Sequence, residues 1–170
     1  MVNSDVSTQL EVAHFLSPFG CFRITGSYKG IRSVQLVDTK PCPAGPIPRV
    51  LRDCVTQLAE YFKRERQTFD LRLDWEGHTD FHQAVWKELL EIPYGHTTSY
   101  LSIAEKLGDP KAIRAVGQAN RRNPIAIIVP CHRVIAKSGE LQGYFYGLDF
   151  KRRLLELENP LSFARQGSLF

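Results

Sequence analysis

The hydrophobic pattern of the chain changes at Gly77, and this change constrains the fold more than any other feature of the sequence. Before it, three short β-prone runs alternate with glycine and proline: residues 11–16, 21–28 and 31–37. After it, apolar residues recur in short segments at helical spacing. The sequence therefore predicts an α+β chain with an N-terminal domain over residues 1–76 and a mostly helical C-terminal domain over residues 77–170.

The N-terminal domain is predicted to combine an antiparallel sheet with one helix. A proline-rich loop over residues 41–48 follows the third run, and residues 49–66 carry apolar side chains at the spacing of an amphipathic helix. A short run at residues 69–73 is predicted to return to the sheet. Because this half contains no group of catalytic side chains, we interpret it as a scaffold domain.

Composition places the chain among globular proteins and excludes several other classes. Of its 170 residues, 43% are hydrophobic and 24% are charged, which excludes disordered and fibrous chains. The N-terminus is polar and no apolar run approaches the roughly 20 residues of a membrane span, so neither a secretory signal nor a membrane protein is predicted. The net charge is +4, and residues 77–170 hold 12 Lys and Arg against 9 Asp and Glu. This excess favours a polyanionic partner for the C-terminal domain.

The four cysteines are far apart in sequence and form neither a CxxC nor a CxH pair: Cys21, Cys42, Cys54 and Cys131. Their spacing matches neither a zinc knuckle nor a thioredoxin-type motif. We therefore expect reduced thiols in a cytoplasmic protein, or in a nuclear one if the source is eukaryotic.

Three short helices are predicted between residues 80 and 119. In chain order, their N-terminal capping residues are predicted to be Asp80, then Thr98 or Ser99, and then Asp109. Pro110 follows the last cap, at a position that favours proline in the first helical turn. The glycine-containing turn between the second and third helices makes this pair a helix-turn-helix candidate. Many such pairs bind nothing, so the pattern alone leaves DNA binding open.

The third of these helices carries small residues around one long cation. Ala112, Ala115 and Gly117 lie close in sequence to Arg114. A glycine such as Gly117 lowers the stability of a helix by about 1 kcal/mol relative to alanine. We therefore expect that the absence of a side chain at this position has a structural or functional advantage. Small side chains permit either tight packing against a neighbouring helix or close approach to a DNA groove, with Arg114 as an inserted side chain.

A nearly continuous apolar run, residues 125–130, ends at Cys131 and His132. The thiolate is the nucleophilic form of cysteine and a neighbouring imidazole can take the thiol proton, so this pair has the components of an activated cysteine. Adjacent residues of an extended chain point to opposite sides, so contact requires a turn or a bridging water. Spacing does not choose among three carboxylates that could orient the histidine: Asp149, Glu156 and Glu158. A buried cysteine can also be an inert apolar residue.

Three stretches of the C-terminal half carry a specific pattern: IPYGHTTSY, IAEKLGDPKAIRAVGQANRRNPIAIIVPCHRVIAKSGELQGY and GLDFKRRLLELE. With few gaps over residues 81–158, they closely resemble the O6-alkylguanine-DNA alkyltransferases, also called methylated-DNA-protein-cysteine methyltransferases. The N-terminal half resembles the family's RNase H-like domain more loosely, through SPFG, the turn at Gly30 and the helix before Phe69. The resemblance implies an RNase H-like α/β domain followed by a helical domain with a winged-helix-like helix-turn-helix.

The resemblance implies a single-turnover repair reaction without a cofactor. Cys131 would accept the alkyl group from O6 of guanine irreversibly, His132 would act through a water as its base, and Glu158 would orient His132. Asn123 would brace the active-site turn. Tyr100 would donate a proton toward N3 of the departing guanine. The alkylated protein is not regenerated.

The resemblance also implies how the damaged base is reached. The expected partner is double-stranded DNA containing O6-alkylguanine, bound from the minor groove with the base flipped out of the stack. Arg114 would fill the vacated position, and Tyr100 would push on the neighbouring phosphate. The small side of the helix, formed by Ala112, Ala115 and Gly117, would allow close approach to the groove. We expect a monomer and leave open whether it binds DNA cooperatively.

The substrate pocket is implied to combine backbone groups with aromatic side chains. Backbone groups at Val134 would hydrogen-bond the flipped base, and Tyr144 would help to form the lid. Many members of the family have two small residues directly after the lid tyrosine, whereas this chain has Phe145 and Tyr146 there. These side chains are expected to narrow the pocket.

The chain differs from some members of the family at two further places, the positions that bind a structural zinc and the acceptor position. Some animal members bind a structural zinc in the N-terminal domain, but Ser27 and Arg32 occupy two of those positions here, so we expect no such metal. Relatives that bind lesions without repairing them carry tryptophan at the acceptor position, where this chain has Cys131.

Two functions of other classes remain as alternatives. A DNA-binding regulator that uses the helix-turn-helix without chemistry would leave the PCHRV motif unexplained. A thiol hydrolase that uses Cys131 and His132 would leave the helix that carries Arg114 unexplained.

The bulk of Phe145 and Tyr146 predicts that a methyl group is transferred faster than a benzyl group. We expect about a tenfold difference, since a pocket discriminates by that order against a substituent it does not accommodate. The measurement is the single-turnover rate constant on two matched duplexes, one with O6-methylguanine and one with O6-benzylguanine. Comparable rates on both duplexes would contradict a narrowed pocket.

Overall fold

The structure is a computed structural model, and it describes residues 8–161 of the 170-residue chain. These residues form two compact units. The first comprises residues 8–76 together with Pro124–Ala126, and the second comprises Gly77–Asn123 and residues 127–161. The fold is mixed α and β, with strands concentrated before Gly77 and helices after it.

The first unit is built on a three-stranded antiparallel sheet in the order β1-β2-β3. The strands are β1 (Glu11–Ser17), β2 (Gly20–Ser27) and β3 (Gly30–Val37), so the prediction of three strands is confirmed. Phe22, Ile24 and Val34 are fully buried on this sheet. Gly30 begins β3 with φ +137°, and a Cβ there would lie 2.6 Å from the carbonyl oxygen of Arg72, so only glycine fits.

Two peptide segments extend this sheet beyond β3 by single parallel bridges. Leu73 pairs with Ile31, so the predicted return of residues 69–73 is limited to one bridge. Ile125 pairs with Val34, whose N–H donates to the carbonyl of Pro124 at 2.9 Å. A domain boundary drawn at residue 76 does not anticipate this second bridge, because nothing local marks residues 124–126 as sheet-forming.

The helix of the first unit is shorter than its apolar spacing predicts. A 3₁₀ turn at Arg49–Leu51 leads into α1 (Arg52–Phe62), and Arg64 then adopts the left-handed conformation with φ 62°. The left-handed residue ends the helix before residue 66. Its buried face packs as expected, through Leu51, Cys54, Leu58, Tyr61 and Phe62.

The expectation of four reduced cysteines is wrong. Cys21, at the start of β2, and Cys42, in the proline-rich loop, form a disulfide with Cα atoms 5.5 Å apart. The two residues are 21 positions apart, and the loop after β3 returns the chain to the beginning of β2. Spacing rules for neighbouring cysteines do not detect a pairing of this kind. Cys54 and Cys131 are free and buried.

Among the described residues, the second unit contains four α-helices bounded at both ends and a short two-stranded sheet. The helices are α2 (Asp80–Leu90), α3 (Tyr100–Lys106), α4 (Ile113–Arg121) and α5 (Leu148–Glu158). Strands β4 (Thr98–Ser99) and β5 (Val134–Ile135) pair in parallel. The core side chains that bring these elements together include Val85, Trp86, Leu89, Ile103, Val116 and Leu154. In the part of the chain that the structure describes, no helix is long and apolar enough to cross a membrane.

The helix caps of the second unit follow local chemistry. Ser99 accepts from the N–H of Ser102 and caps α3, as predicted. Asp109 accepts from the N–H of Lys111, but it caps only the 3₁₀ turn Pro110–Ala112, and α4 begins after that turn without a side-chain cap. The cap of α2 is Thr79, which accepts from the N–H of His82, and not Asp80. Asp80 is instead the first helical residue, where a carboxylate interacts favourably with the helix dipole.

Candidate active site

Cys131 begins a short 3₁₀ turn, Cys131–Arg133, that follows the buried run. All residues of the predicted apolar run 125–130 are buried, which confirms that prediction. The run is not a continuous strand, because Ile127 has φ 71° and turns the backbone there. The turn then places Cys131 and His132 on consecutive positions inside the second unit, each almost completely buried.

Two buried asparagine side chains hold the backbone of this turn. Asn123 Nδ2 donates to the carbonyl of Val129 at 2.8 Å, and Asn120 Nδ2 donates to the carbonyl of Cys131 at 3.3 Å. The resemblance placed Asn123 at this turn, whereas Asn120 was missed. Asn120 lies one helical turn after Val116 on the buried side of α4, and a polar residue at such a position was the available signal.

The thiol of Cys131 is held mainly in its protonated form. Burial raises the pKa of the Cys131 thiol. Hydrogen bonds with Asn123 and Tyr144 and the positive charge of Lys151 act in the opposite direction without cancelling that effect. Conversion to the nucleophilic thiolate therefore needs a group that takes the proton.

His132 has the protonation state and tautomer of a base. Burial lowers the pKa of the His132 imidazole, and Arg133 adds to this lowering, so the ring is neutral at pH 7 although Glu158 favours the charged form. His132 Nε2 lies 2.7 Å from Glu158 Oε1, and an ionised carboxylate only accepts hydrogen bonds, so Nε2 carries the proton. Nδ1 is left as the acceptor and has no hydrogen-bond partner among the described residues.

Glu158 is the carboxylate that the fold selects from the three candidates. Asp149 and Glu156 are exposed on α5, whereas Glu158 is buried at its end. Arg133 binds it in a forked arrangement: Nε lies 2.9 Å from Oε2 and Nη2 lies 2.9 Å from Oε1. Burial alone would raise the pKa of Glu158, but His132 and Arg133 outweigh it and hold this pKa well below its ordinary value.

Arg133 is a site residue that the sequence argument missed. Besides its fork on Glu158, its Nη1 donates to the carbonyl of Ile92 at 2.7 Å. The signal was its place directly after the Cys-His pair, where a long cation follows a buried run and requires a buried partner.

Lys151 is the second buried cation of the site that sequence reasoning missed. It lies on the inner side of α5, and its ammonium donates to the carbonyls of Val134 and, at 2.9 Å, Gln142. The available signal was its spacing, because residues 151, 154, 155 and 158 share the buried side of that helix. Val134, implied to hold the base through its backbone, therefore has its carbonyl engaged by Lys151.

The aromatic residues implied for the site lie around this ammonium. Tyr100 begins α3, is half-buried and donates from its hydroxyl to the carbonyl of Gln142 at 3.2 Å. Burial raises the pKa of the Tyr100 phenol, with Cys131 adding to the effect, so it remains a proton donor at neutral pH. Tyr144 is buried and lies parallel to Phe150, with ring centroids 6.1 Å apart.

Phe145 and Tyr146, implied to narrow the pocket, occupy different surroundings. Phe145 is 64% exposed and contacts Tyr146 edge-on. Tyr146 is half-buried and lies edge-on to both Tyr144 and Phe150. Any narrowing near the lid therefore depends on Tyr146 more than on Phe145.

The helix-turn-helix candidate consists of α3 and α4, joined through the 3₁₀ turn Pro110–Ala112. Arg114 and Ala115 are exposed, and Ala112 and Gly117 are half-buried. A Cβ on Gly117 would lie 3.9 Å from the ring of Tyr100, which is ordinary contact distance. Packing within this unit therefore does not require a glycine at position 117.

A helix-turn-helix with an exposed arginine, in the same unit as a buried cysteine, a neutral histidine and an ionised carboxylate, defines a class of DNA-binding proteins with thiol chemistry. Comparison with known families agrees. Residues 80–160 match the DNA binding domain of 6-O-methylguanine DNA methyltransferase, and residues 13–75 match its ribonuclease-like domain. The chain belongs to the 6-O-methylguanine DNA methyltransferase family.

Individual relatives are similar over most of their length. The methylated-DNA-protein-cysteine methyltransferase of Methanosarcina barkeri is 48% identical over 147 residues, covering 84% of this chain and 92% of that protein. The Mycobacterium bovis protein of the same name is 49% identical, covering 84% and 88%. The crystal structure of the Mycobacterium tuberculosis O6-methylguanine methyltransferase matches with a TM-score of 0.79 at 46% identity, covering 89% and 94%. Its complex with DNA matches at 0.78 and 47%, covering 86% and 91%.

The shared carboxylate predicts a specific loss of stability. Glu158→Gln should lower the free energy of unfolding at pH 7 by about 3 kcal/mol, because it leaves the buried guanidinium of Arg133 without an anion. The measurement is urea unfolding at several pH values, with Glu156→Gln on the exposed side of the same helix as the control.

The pH dependence of this loss has a definite sign. The folded pKa of Glu158 lies below its ordinary value of 4.5, so the ionised carboxylate stabilises the protein above that pH and the contribution fades as the pH falls. The difference between the wild type and Glu158→Gln should therefore shrink below about pH 4.5. A loss that stays constant down to pH 3 would contradict an ionised Glu158.

Proposed function

We propose that this chain repairs alkylated DNA by direct reversal, transferring the alkyl group from O6 of guanine in double-stranded DNA to its own Cys131. The observation that carries the proposal is the buried Cys131 in a turn with a neutral His132 on an ionised Glu158, in a unit that matches the family's DNA binding domain. Solved relatives include a methyltransferase in complex with DNA. The protein acts once, as a monomer, in the cytoplasm or in the nucleus of a eukaryote.

The transfer itself is a displacement at the alkyl carbon. The Cys131 sulfur forms a bond to that carbon as the carbon–oxygen bond breaks, and the electron pair remains on the guanine. His132 removes the thiol proton through its acceptor atom Nδ1, with a water as the bridge. Glu158 fixes the tautomer that makes Nδ1 available. This assignment follows the general logic of a nucleophile, a base and an orienting carboxylate.

The guanine is the leaving group of this reaction. It needs a proton as it departs, because it would otherwise carry a negative charge. Tyr100 is proposed to supply that proton toward N3 of the base. Its raised pKa keeps the phenol protonated at neutral pH. The reaction needs no cofactor, and O4-alkylthymine is proposed as a poorer substrate.

Access to O6 requires the damaged base to leave the helical stack, which costs a few kcal/mol. We propose that α4 lies in the minor groove and that Arg114 occupies the position the base vacates. The exposure of this part of α4 supports the arrangement. Arg114 is an exposed long cation, and beside it the exposed Ala115 and the half-buried Gly117 have side chains small enough for close approach to DNA. Readout of the minor groove is degenerate, so binding is expected to depend little on sequence.

Peptide mass mapping after reaction with an O6-methylguanine duplex tests the proposed function. We expect one methyl group on Cys131, saturating at one per protein, and none in Cys131→Ser. Cys54→Ser is the control, since Cys54 is buried and burial raises the pKa of its thiol to about 12. Multiple turnover would favour a thiol hydrolase, and DNA binding without an adduct would favour a regulator.

Substitution of Gly117 separates folding from DNA binding. Gly117→Ala should raise the free energy of unfolding by about 0.5–1 kcal/mol, since alanine is the better helix residue and its Cβ has room beside Tyr100. The same methyl group should weaken binding to duplex DNA severalfold by holding α4 away from the groove. Unfolding and DNA titration are measured on the same preparations.

The control for this experiment is Thr56→Ala, which improves helix propensity at an exposed position of α1. It should stabilise the protein without changing its affinity for DNA. If Gly117→Ala binds duplex DNA as tightly as this control, α4 does not approach the groove closely.

A further inference from the structure

Asn120 is a buried amide on α4 whose side chain is only half satisfied. Its Nδ2 donates to the carbonyl of Cys131 at 3.3 Å, whereas its Oδ1 has no hydrogen-bond partner among the described residues. The residue is 1% exposed, so bulk solvent does not compensate the unpaired oxygen. An acceptor that is buried without a partner lowers the stability of the fold.

Gln57 in the first unit shows what a buried amide looks like when stability explains it. Its Nε2 donates to the carbonyl of Asp70 at 3.1 Å, and its Oε1 accepts from the N–H of Asp70 at 2.9 Å. Both ends of that amide are paired, as is usual for buried polar groups. At position 120 an apolar side chain, like those of Val116 and Ala119 on the buried side of α4, would leave no oxygen unpaired. Stability of the fold therefore does not account for an asparagine at this position.

The bond from Asn120 completes the hydrogen bonding of the Cys131 backbone. The N–H of Cys131 donates to the carbonyl of Val129 at 2.8 Å, and its carbonyl accepts from the N–H of Val134 as well as from Asn120. Both lone pairs of this carbonyl oxygen are thus in use. The bond from Val134 stays within the turn, whereas the bond from Asn120 ties Cys131 to α4.

The helix that makes this contact also carries Arg114. Asn120 lies six residues after Arg114, which is about 9 Å along a helix axis. The residue before it is anchored as well, because Trp86 Nε1 of α2 donates to the carbonyl of Ala119 at 2.9 Å. Two buried bonds at consecutive residues therefore fix the last turn of α4, one of them to α2 and the other to Cys131.

We propose that Asn120 is a positioning residue that keeps Cys131 in register with α4, so that its sulfur meets the alkyl carbon of a base that this helix has displaced. The role rests on the proposed function, in which α4 lies in the minor groove and Cys131 is the alkyl acceptor. It is distinct from the brace at Asn123, which follows α4 in the chain and holds the carbonyl of Val129. It accounts for an amide that the stability of the fold does not require.

Asn120→Leu removes the donor and keeps a branched side chain. The single-turnover rate constant at a saturating concentration of O6-methylguanine duplex should fall by about tenfold, because a small misplacement of the reacting atoms is enough for such a loss. The dissociation constant for an unmodified duplex should equal that of the wild type, because Arg114 and the rest of the exposed side of α4 are unchanged.

Iodoacetamide separates this register from the reactivity of the thiol. The reagent is a small alkylating agent that reaches Cys131 without DNA, so its rate does not depend on how Cys131 is aligned with α4. Alkylation of Cys131, quantified by peptide mass, should be as fast in Asn120→Leu as in the wild type, or faster. A parallel fall of the iodoacetamide rate and the transfer rate would assign Asn120 to thiol reactivity and overturn the proposal.

The contact itself is measured by NMR spectroscopy of the full-length protein. Cysteine is labelled with ¹³C at its carbonyl and histidine with ¹⁵N, and Cys131–His132 is the only Cys-His pair in the sequence, so one correlation peak reports the Cys131 carbonyl. Loss of a hydrogen bond should move this carbonyl resonance upfield in Asn120→Leu. An unmoved resonance would overturn the proposal, since the amide would not then bind the carbonyl in solution.

Gln57→Leu is the matched control, because it replaces a buried amide in the other unit. It should lower the urea midpoint of unfolding by leaving the N–H and carbonyl of Asp70 without their partner, and it should keep the wild-type transfer rate and Cys131 resonance. Asn120→Leu should have a higher midpoint than this control, since it also removes an unpaired oxygen.

If Asn120→Leu does not fold, Asn120→Ala is used for the same measurements. A wild-type transfer rate, or a transfer rate lowered only through weaker binding of the duplex, overturns the proposal. Failure of the wild type to form any adduct would instead overturn the proposed function, and the carbonyl resonance is independent of that outcome.

Discussion

The site of this protein depends on one buried carboxylate. Glu158, at the end of α5, accepts hydrogen bonds from His132 and Arg133 on the turn that begins with Cys131, and from the backbone N–H of Gly95. Each partner alone would leave a buried charge or a misoriented ring, and together they keep the carboxylate ionised against the cost of burial. The turn, the last helix and the segment before β4 are thus joined through a single side chain, and the position of Cys131 follows from that connection.

The division of charge within the site explains how a base and a nucleophile coexist in an apolar interior. Arg133 offsets the negative charge of Glu158, so His132 can hydrogen-bond the carboxylate and still remain a neutral base. Lys151, the second buried cation, donates instead to the carbonyls of Val134 and Gln142. The two buried cations of the site are therefore bound to different partners, Arg133 to a carboxylate and Lys151 to backbone carbonyls.

Gly117 lowers the stability of the second unit in favour of the activity we propose. It weakens α4 although a methyl group would fit beside Tyr100. A glycine here is expected in a protein that must bring this helix close to DNA. By contrast, Gly30 in the first unit is required by the backbone of the sheet itself. Gly30 is therefore explained by the backbone of the fold, whereas Gly117 is explained by the proposed approach of α4 to DNA.

The sequence by itself determined the features that short-range chemistry controls. The alternation before Gly77 produces three strands, Ser99 caps α3, Asp109 caps the 3₁₀ turn before α4, and the apolar run before Cys131 is buried. Only the tertiary structure decided which carboxylate meets His132, that Arg133 and Lys151 are buried, that Cys21 pairs with Cys42, and that residues 124–126 extend the first sheet. The physical reason is distance along the chain: His132 and Glu158 are 26 residues apart, and their meeting depends on how whole helices pack, which no local pattern encodes.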